Sequence, residues 1–446
     1  MPFAFCLLTF AFSLCLLSLS AVTCLAQTTP AEPYAAINRD AVSYNGPGRD
    51  GGHDLAGSEI RLGLLTPLAG PRQAEGEALR RGAEMAIEEE NVTSLPGGRR
   101  LTLVTRDESG PWGQAATQIV HMVFDDQAVA LITSAEGGSA HLAEQIGNKI
   151  GVPILTLSSD TTTTEINLPW IFRLGPTDAM QAQAFARDVY QDKKLQRVAL
   201  LIQNDHDGRV GGEEFEKAAR EMNAPAPMRI MIASDARSTD LLFRSAEREE
   251  PRTSKTGPRY DLQNAEAVVI WADAATANGL FARVREVLPS APLYLCRKAA
   301  QGEWSTLSQP RCRTCSSENT VAGSFGSGTG VPPVNGHGQD GRATANDLTT
   351  ANAGVWTTEA PDAQSSPHAA FARRYRQRFG AEPGFGAAQA YDAVHVLAAS
   401  LRQSGPNRAR LRDALGQVSA FAGTSGVISF DHAGNDLTRT TLVRLN

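Results

Sequence analysis

"IRLGLLTPLAGPRQAEGEALRRGAEMAIEEEN", residues Ile60 to Asn91, decides the fold. Ile60 to Leu65 is a mostly apolar run of buried-strand type. From Ala74 to Asn91 the period changes. Leu79, Ala83, Ala86 and Ile87 recur at helical spacing, with charges on the other face. A strand that passes through a Gly/Pro loop into an amphipathic helix is the first half of a βαβ unit.

Working outward, the alternation continues. Strands are expected at Leu101 to Val104, Ala128 to Ile132 and Val152 to Leu155, and helices at Gln114 to Gln127 and Ser139 to Lys149. A second series follows: helices at Ala179 to Gln191, Gly212 to Met222, Asp240 to Glu247 and Thr276 to Val287, and strands at Arg197 to Ile202, Met228 to Ile232, Ala267 to Trp271 and Leu293 to Leu295. Two such series mean α/β architecture with parallel sheets and two similar lobes. The 446 residues exceed what one core usually holds, which agrees. Ser324 to Asn346 carries many glycines and hardly any apolar residues, so it reads as an insertion that cannot bury a face. Helices resume at Pro367 to Phe379, Ala387 to Arg402 and Asn407 to Leu415, and a last strand pair is expected from Gly426 to Phe430 and Thr441 to Leu445.

Upstream, Met1 to Ala26 is uncharged and apolar and ends in a small residue, the pattern of a cleaved export signal. It lacks the usual leading basic residues, and its length leaves a membrane anchor open. Cys24 leaves lipidation open as well. Residues 27–58 read as a disordered arm, rich in Pro, Gly, Asn and Asp. Within it, Gly46 to Gly51 spells GxGxxG, but no strand precedes it and no helix follows, so it is discarded as a nucleotide site. Of the six cysteines, Cys296, Cys312 and Cys315 remain after signal removal. Export permits a loop disulfide between two of them. No histidine stands at zinc-ligand spacing from the CxxC, and its Pro and Ser neighbours do not suit a redox motif. Net charge −6 argues against a nucleic-acid partner.

Four segments, in order, resemble the type I periplasmic binding proteins of the leucine/isoleucine/valine-binding branch, which serve ABC importers. Ile60 to Asn91 resembles the family's opening strand, Pro-Leu-x-Gly-Pro loop and helix. "IGVPILTLSSDTTTT" resembles its Val-Pro strand and hydroxyl-rich loop. "IFRLGPTDAMQA" is similar to its Arg-x-x-x-x-Asp passage into the second lobe. "GTSGVISFDHAGN" is similar to its closing Gly-x-Ser-Gly motif. The resemblance runs from Glu59 to the carboxy terminus, with the Gly-rich insertion left out.

It implies two doubly wound parallel-sheet lobes joined by three crossovers. The first lobe takes 59–176 and 319–417, with the insertion at 324–346. The second takes 177–318 and 418–446. Crossovers are expected near Gly175 to Asp178, between Cys296 and Thr320, and near Val418 to Thr424. It further implies a ligand between the lobes at the carboxyl ends of strands, where open parallel sheets bind on physical grounds too. By position, Glu136, Gly137 and Ser139 match one binding loop, and Ser158, Ser159, Asp160 and Thr161 match the other. Asp178 matches the crossover aspartate. Asp273 follows the strand ending at Trp271, and Arg297 follows Cys296. Any one hydroxyl here can equally be a cap or turn residue. Arg297 and Lys298 can equally face water, and so can Arg72 at the cleft mouth.

The sequence departs from the family pattern at Glu136 and Asp160, where the family often has Ser, Thr or Ala. Acids there would repel a carboxylate, so a polar, cationic or differently oriented ligand stands as an alternative to a branched-chain amino acid in the family's pose. No HExxH, P-loop or GxSxG motif is present. His206 reads as a hydrogen-bonded loop residue, and Asp205 and Asp207 lack the further ligands of a calcium loop. No catalysis, metal or cofactor is expected. The expectation is a periplasmic, monomeric solute-binding protein that takes an amino acid or related amide or acid to an ABC permease. A ligand-sensing receptor on the same fold, signalling to a partner protein without transport, is the alternative.

Overall fold

The computed structural model describes residues 44, 46–93, 95–111, 113–165, 168–233, 262–301, 354–359, 365–438 and 440–445. The first lobe opens with β1 (Glu59–Thr66) and α1 (Gln73–Thr93), followed by β2 (Arg100–Asp107), α2 (Gln114–Phe124), β3 (Ala130–Thr133), α3 (Gly137–Ile150), β4 (Ile154–Thr156), the single turn α4 (Thr162–Glu165) and β5 (Ile171–Arg173). The five strands form one parallel sheet in the order β2-β1-β3-β4-β5.

Alternate side chains of β1 serve opposite faces, as strand geometry requires. Leu62 and Leu64 pack with Leu79, Ala83 and Ala86 of α1, while Leu65 packs with Ile119 and Met122 of α2. Both faces of the sheet are therefore covered, which is why its strands read as continuous apolar runs.

The second lobe contains α5 (Asp178–Ala186), β6 (Val198–Gln203), α6 (His206–Glu221), β7 (Met228–Ile232), β8 (Ala267–Trp271), α7 (Ala274–Val287) and β9 (Leu293–Leu295). Its sheet runs β13-β10-β9-β8-β6-β7, where β10 is Val355–Glu359 and β13 is Thr441–Leu445. All pairings are parallel except β10 with β13. Between β10 and β13 the chain forms α8 (Ser366–Phe379), α9 (Phe385–Ser404) and α10 (Arg408–Leu415), then β11 (Phe421–Ala422) and β12 (Val427–Ile428). Apolar residues of α8 to α10 join the core of the first lobe. Gly82 on α1 permits this: a Cβ there would overlap the carbonyl of Ala387 on α9.

Several expectations change. Residues 319–417 do not all belong with the first lobe, because β10 pairs with β9 in the second sheet. The closing strands are not a hairpin: Val427–Ile428 pairs with Phe421–Ala422, whereas Thr441–Leu445 pairs with β10. The described part of the arm is anchored rather than loose. Arg49 reaches Asp413 at 2.8 Å, Asp54 accepts from Arg410 at 2.7 Å, and the Leu55 amide donates to the Pro406 carbonyl at 2.9 Å. The signal, Asp240 to Glu247, the Gly-rich insertion, Cys312 and Cys315 lie outside the described residues. Cys296 is a buried free thiol donating to the Ala272 carbonyl.

The passage from β5 into the second lobe lies beside the later passage at residues 434–436. The Arg173 amide donates to the Gly434 carbonyl at 2.8 Å, the Asp436 amide to the Arg173 carbonyl at 3.1 Å, and the Gly175 amide to Asp436 Oδ2 at 3.1 Å. Gly175 has φ +98°, a left-handed conformation that suits glycine.

Candidate functional site

In each sheet the strand order reverses once, at β1 in the first and β6 in the second. The crevice outside such a reversal is where open α/β sheets take ligands. Here the two crevices face each other. Arg72 and Glu136 flank the first, following β1 and β3. His206, Asp207 and Asp273 flank the second, following β6 and β8.

Helix α3 begins at Gly137, with Glu136 in the capping position. The Gly137 amide donates to Asp207 Oδ1 of the other lobe at 3.0 Å. A free N–H at a helix start favours an anion, and a carboxylate is what it receives. A Cβ here would overlap Asp207 Oδ1 and stand 2.8 Å from Asp160 Oδ2, so any other residue would force these carboxylates to shift.

Asp207 reaches this point because α6 starts six residues earlier than its sequence pattern suggests. Asp205 caps the helix by accepting from the Gly208 amide at 2.8 Å. Glycines 208, 211 and 212 weaken helix propensity and hide this first turn from a periodicity reading. Their reason is packing, since a Cβ on Gly211 would overlap the Trp271 ring and one on Gly212 the Ile202 side chain.

Lys298 completes the junction. Its ammonium contacts Asp207 Oδ2 and lies 2.8 Å from Glu136 Oε2. Glu136 also accepts from Arg72 Nη1 at 2.6 Å, and Arg72 in turn holds Glu75 at 2.8 Å. Burial pushes the Glu136 carboxyl up, but Lys298 and Arg72 outweigh it and hold it at about 2. Burial disfavours the charged Lys298, yet Asp207 and Glu136 keep its pKa well above the ordinary value. Glu108, which accepts from Ser134 Oγ at 2.6 Å, is raised by burial to about 7 against the pull of Arg72.

Behind the junction is a cavity of about 10 Å³, room for about one water. Ser159, Asp178, Asp205, Asp207, Trp271, Asp273 and Lys298 line it. Four carboxyls to one ammonium give it an acidic lining. Asp178 accepts from Trp271 Nε1 at 3.3 Å, and burial raises its pKa to about 7. A hollow of about 440 Å³ lies elsewhere, beside β5, lined by Pro169, Phe172, Arg412 and Asp431 among others.

Asp178 gives a pH prediction. Its folded pKa lies above the unfolded value near 4, so the folded state holds the proton longer. The resulting stability is complete below the unfolded value and lost as pH rises through about 7. Asp178→Asn is therefore expected to gain on the parent chain between pH 5 and pH 8, by up to about 1.4 kcal/mol per pH unit. Melting temperatures of both chains at the two pH values check this. A difference independent of pH would refute it.

The hydroxyl-rich loop after β4 is used mostly within itself. The Asp160 amide donates to Ser158 Oγ at 3.2 Å, Thr163 Oγ1 donates to the Asp160 carbonyl at 2.9 Å, and Thr161 Oγ1 accepts from the Ala179 amide at 3.3 Å. Arg173, buried beneath, donates to the Asp160 carbonyl at 2.7 Å and to Thr164 Oγ1 at 2.7 Å. Only Ser159 of this loop lines the small cavity.

Asp160 turns elsewhere: Oδ2 lies 3.1 Å from His141 Nε2 and 2.6 Å from His206 Nε2. Hydrogen bonds from Asp160 and Glu144 raise the His141 pKa to about 10. Burial works against ionisation of Asp160, but bonds from His141, Thr162 and His206 overcome it and hold its pKa far below the carboxylate range. The donor atoms of His141, Asp160 and His206 all lie within 4.8 Å of one another.

The structure thus brings Glu136 and Gly137 to the lobe junction, and Ser159, Asp178 and Asp273 to the cavity wall. Ser139 is buried in the first turn of α3. Asp273 Oδ2 accepts from Gln203 Nε2 at 2.9 Å, and Asp273 caps α7. Arg297 is buried, its amide donating to Gln181 Oε1 at 2.8 Å, and a Cβ built on Gly175 would lie 3.5 Å from its Nη1. Its neighbour Lys298 makes the junction instead. Sequence reasoning weighed Lys298 only beside Arg297 and Asp207 only as half of a cation pair with Asp205, and it did not single out Trp271, Glu108, His141 or Glu144. Three acids following strand ends on both lobes, together with a lysine after β9, are the signal that could have paired Lys298 with them.

A sequence profile described as periplasmic binding protein matches residues 59–231 and 319–444. The Leu/Ile/Val-binding protein homolog 3 of Brucella melitensis is 27% identical over 164 residues, which is 36% of this chain and 44% of that protein, so the match spans less than half of that relative. Among solved structures, a leucine-binding protein from Thermotoga maritima superposes with TM-score 0.66 at 16% identity, covering 87% of this chain and 95% of that one. An ABC-transporter solute-binding protein from R. palustris, in complex with benzoate, gives TM-score 0.67 at 18% identity, covering 87% and 93%. The family is periplasmic, and no described helix is long and apolar enough to cross a membrane. With its two doubly wound sheets and the profile match across both, the chain belongs to the periplasmic binding proteins, in the type I branch whose relatives carry leucine/isoleucine/valine-binding names.

Proposed function

We propose that this chain captures a small polar amino acid, or a related amide or acid, between its lobes and delivers it to an ABC permease at the inner membrane. The observation that carries this is the buried charge pair at the lobe junction. The Asp207 carboxylate sits on the Gly137 amide at the start of α3, and the Lys298 ammonium sits against Glu136. An α-amino acid carries the same two charges. Its carboxylate suits the helix start, and its ammonium suits Glu136 or the aspartates of the cavity. The acidic lining favours a second cationic group, so lysine, arginine and their relatives rank above leucine. The names of the relatives support an amino-acid solute, and the benzoate complex of one neighbour supports a wider range of small acids.

Ser139, Ser159, Asp178 and Asp273 are the remaining groups we assign to the solute, and Arg72 closes the mouth through Glu136. Capture works by closure, because a solute that touches both lobes favours the closed form.

A thermal-shift screen of the chain from residue 27 onward tests this, using the twenty amino acids, ornithine, amides, ureas and benzoates at about 1 mM each. Bound solute raises the melting temperature by mass action, by about 2.7 kcal/mol of stability at one hundred times Kd. Cationic amino acids are expected to give the largest rise. An unchanged melt across the panel would contradict the reading.

A further inference from the structure

We propose that His141, Asp160 and His206 form a divalent transition-metal site, suited to zinc, that is completed only when the two lobes close. His141 lies on α3 and Asp160 follows β4, both in the first lobe, whereas His206 opens α6 in the second. Both imidazole Nε2 atoms approach the same Asp160 oxygen, at 3.1 and 2.6 Å, and all three donor atoms lie within 4.8 Å of one another. Tetrahedral zinc with bonds of about 2.0–2.1 Å sets its donors about 3.3 Å apart, so small side-chain shifts admit the ion. Two imidazoles and one carboxylate, with a fourth position for water or a solute atom, are a borderline-soft donor set that suits zinc and not magnesium or calcium.

The surrounding bonds are those of a ligating shell. Buried Glu144 holds His141 Nδ1 at 3.0 Å, which fixes the ring with Nε2 facing Asp160 Oδ2. A bound ion would take the place of the Nε2 proton that now lies between them, and that proton would leave to solvent. Asp160 Oδ1 is held by the Thr162 amide at 2.9 Å and hydroxyl at 2.7 Å, which leaves Oδ2 for the histidines. The two rings meet edge to face at 5.5 Å, and the His206 side chain is 41% exposed, which gives an ion a way in. With the lobes apart, only His141 and Asp160 remain together. The third ligand comes with closure, so the ion binds the closed form more tightly and shifts the population toward it. This holds whatever solute the cleft takes.

Zinc chloride titrated calorimetrically into the untagged, EDTA-treated chain tests the proposal, alongside His206→Ala and His141→Ala. The expected result is one ion per chain, a smaller radius of gyration in X-ray scattering with zinc, and no effect of magnesium. His206→Ala, at a half-exposed position, is expected to bind about tenfold or more weakly and to lose the zinc-induced compaction. Absence of binding below roughly 100 µM zinc, or equal binding by parent and His206→Ala, would overturn it. Binding that leaves the radius of gyration unchanged in the parent would overturn the closure part. Neither result depends on the solute screen, so the two readings fail separately.

Discussion

Replacing Lys298 with methionine is expected to cost about 3–5 kcal/mol of folding stability, the usual price of breaking a buried ion pair by removing one partner. Lys298 is 8% exposed, and its ammonium is shared between Asp207 and Glu136. The methionine fills similar space, so the loss comes from charge rather than from a void. Glu136 keeps Arg72 at 2.6 Å, which leaves Asp207 as the group stranded without a counter-charge. Adding Asp207→Asn should recover much of the loss, because the amide oxygen still accepts from Gly137. Denaturant unfolding of the parent, both single variants and the double variant measures the coupling. A loss under about 1 kcal/mol for Lys298→Met would mean the pair behaves as a surface pair does.

Gly137→Ala is expected to separate folding from closure. Alanine is a better helix former than glycine, so the first lobe should keep its stability. The new methyl group, however, would overlap Asp207 Oδ1 of the other lobe, and it would also crowd Asp160 of its own lobe. Overpacking costs about 1–3 kcal/mol. The share set against Asp207 falls on the closed form, while the share set against Asp160 is common to both forms and cancels in the affinity. Solute affinity should therefore drop about 10- to 100-fold, at 1.4 kcal/mol per factor of ten. Calorimetry with the best solute from the screen, together with an unchanged melt of the free variant, checks this. Undiminished affinity would show that the lobes do not meet at Gly137.

The framework was legible in the sequence wherever a period carried it. β1 and α1 stand out because their apolar positions switch from strand to helix spacing within one quoted stretch. Other features depend on distant partners and leave no local trace. β10, with the sequence VWTTE, has too few apolar residues to stand out, and its two threonines are buried because β9 and β13 flank it. Thr357 spends its hydroxyl on the Leu295 carbonyl at 2.8 Å. The first turn of α6 was hidden by glycines whose purpose is close packing against Trp271 and Ile202.

The site was legible by loop and less so by residue. Glu136 and Gly137 stand at the junction because the helix start is local. Arg297 and Lys298 are adjacent, and adjacency does not say which of the two enters the cleft. The hydroxyls after β4 looked like a ligand cradle, yet Asp160 and Arg173 recruit most of them to shape the turn. His141, Asp160 and His206 are separated by 19 and 46 positions, without any ligand-spaced motif.

Capture between the lobes is tested most directly by amide hydrogen exchange with and without a saturating concentration of the solute that gives the largest thermal shift. Peptides spanning 134–143 in one lobe and 203–210 in the other should slow together, since one bound molecule would cover both. Slowing confined to a single lobe, or none at either segment, would contradict the account.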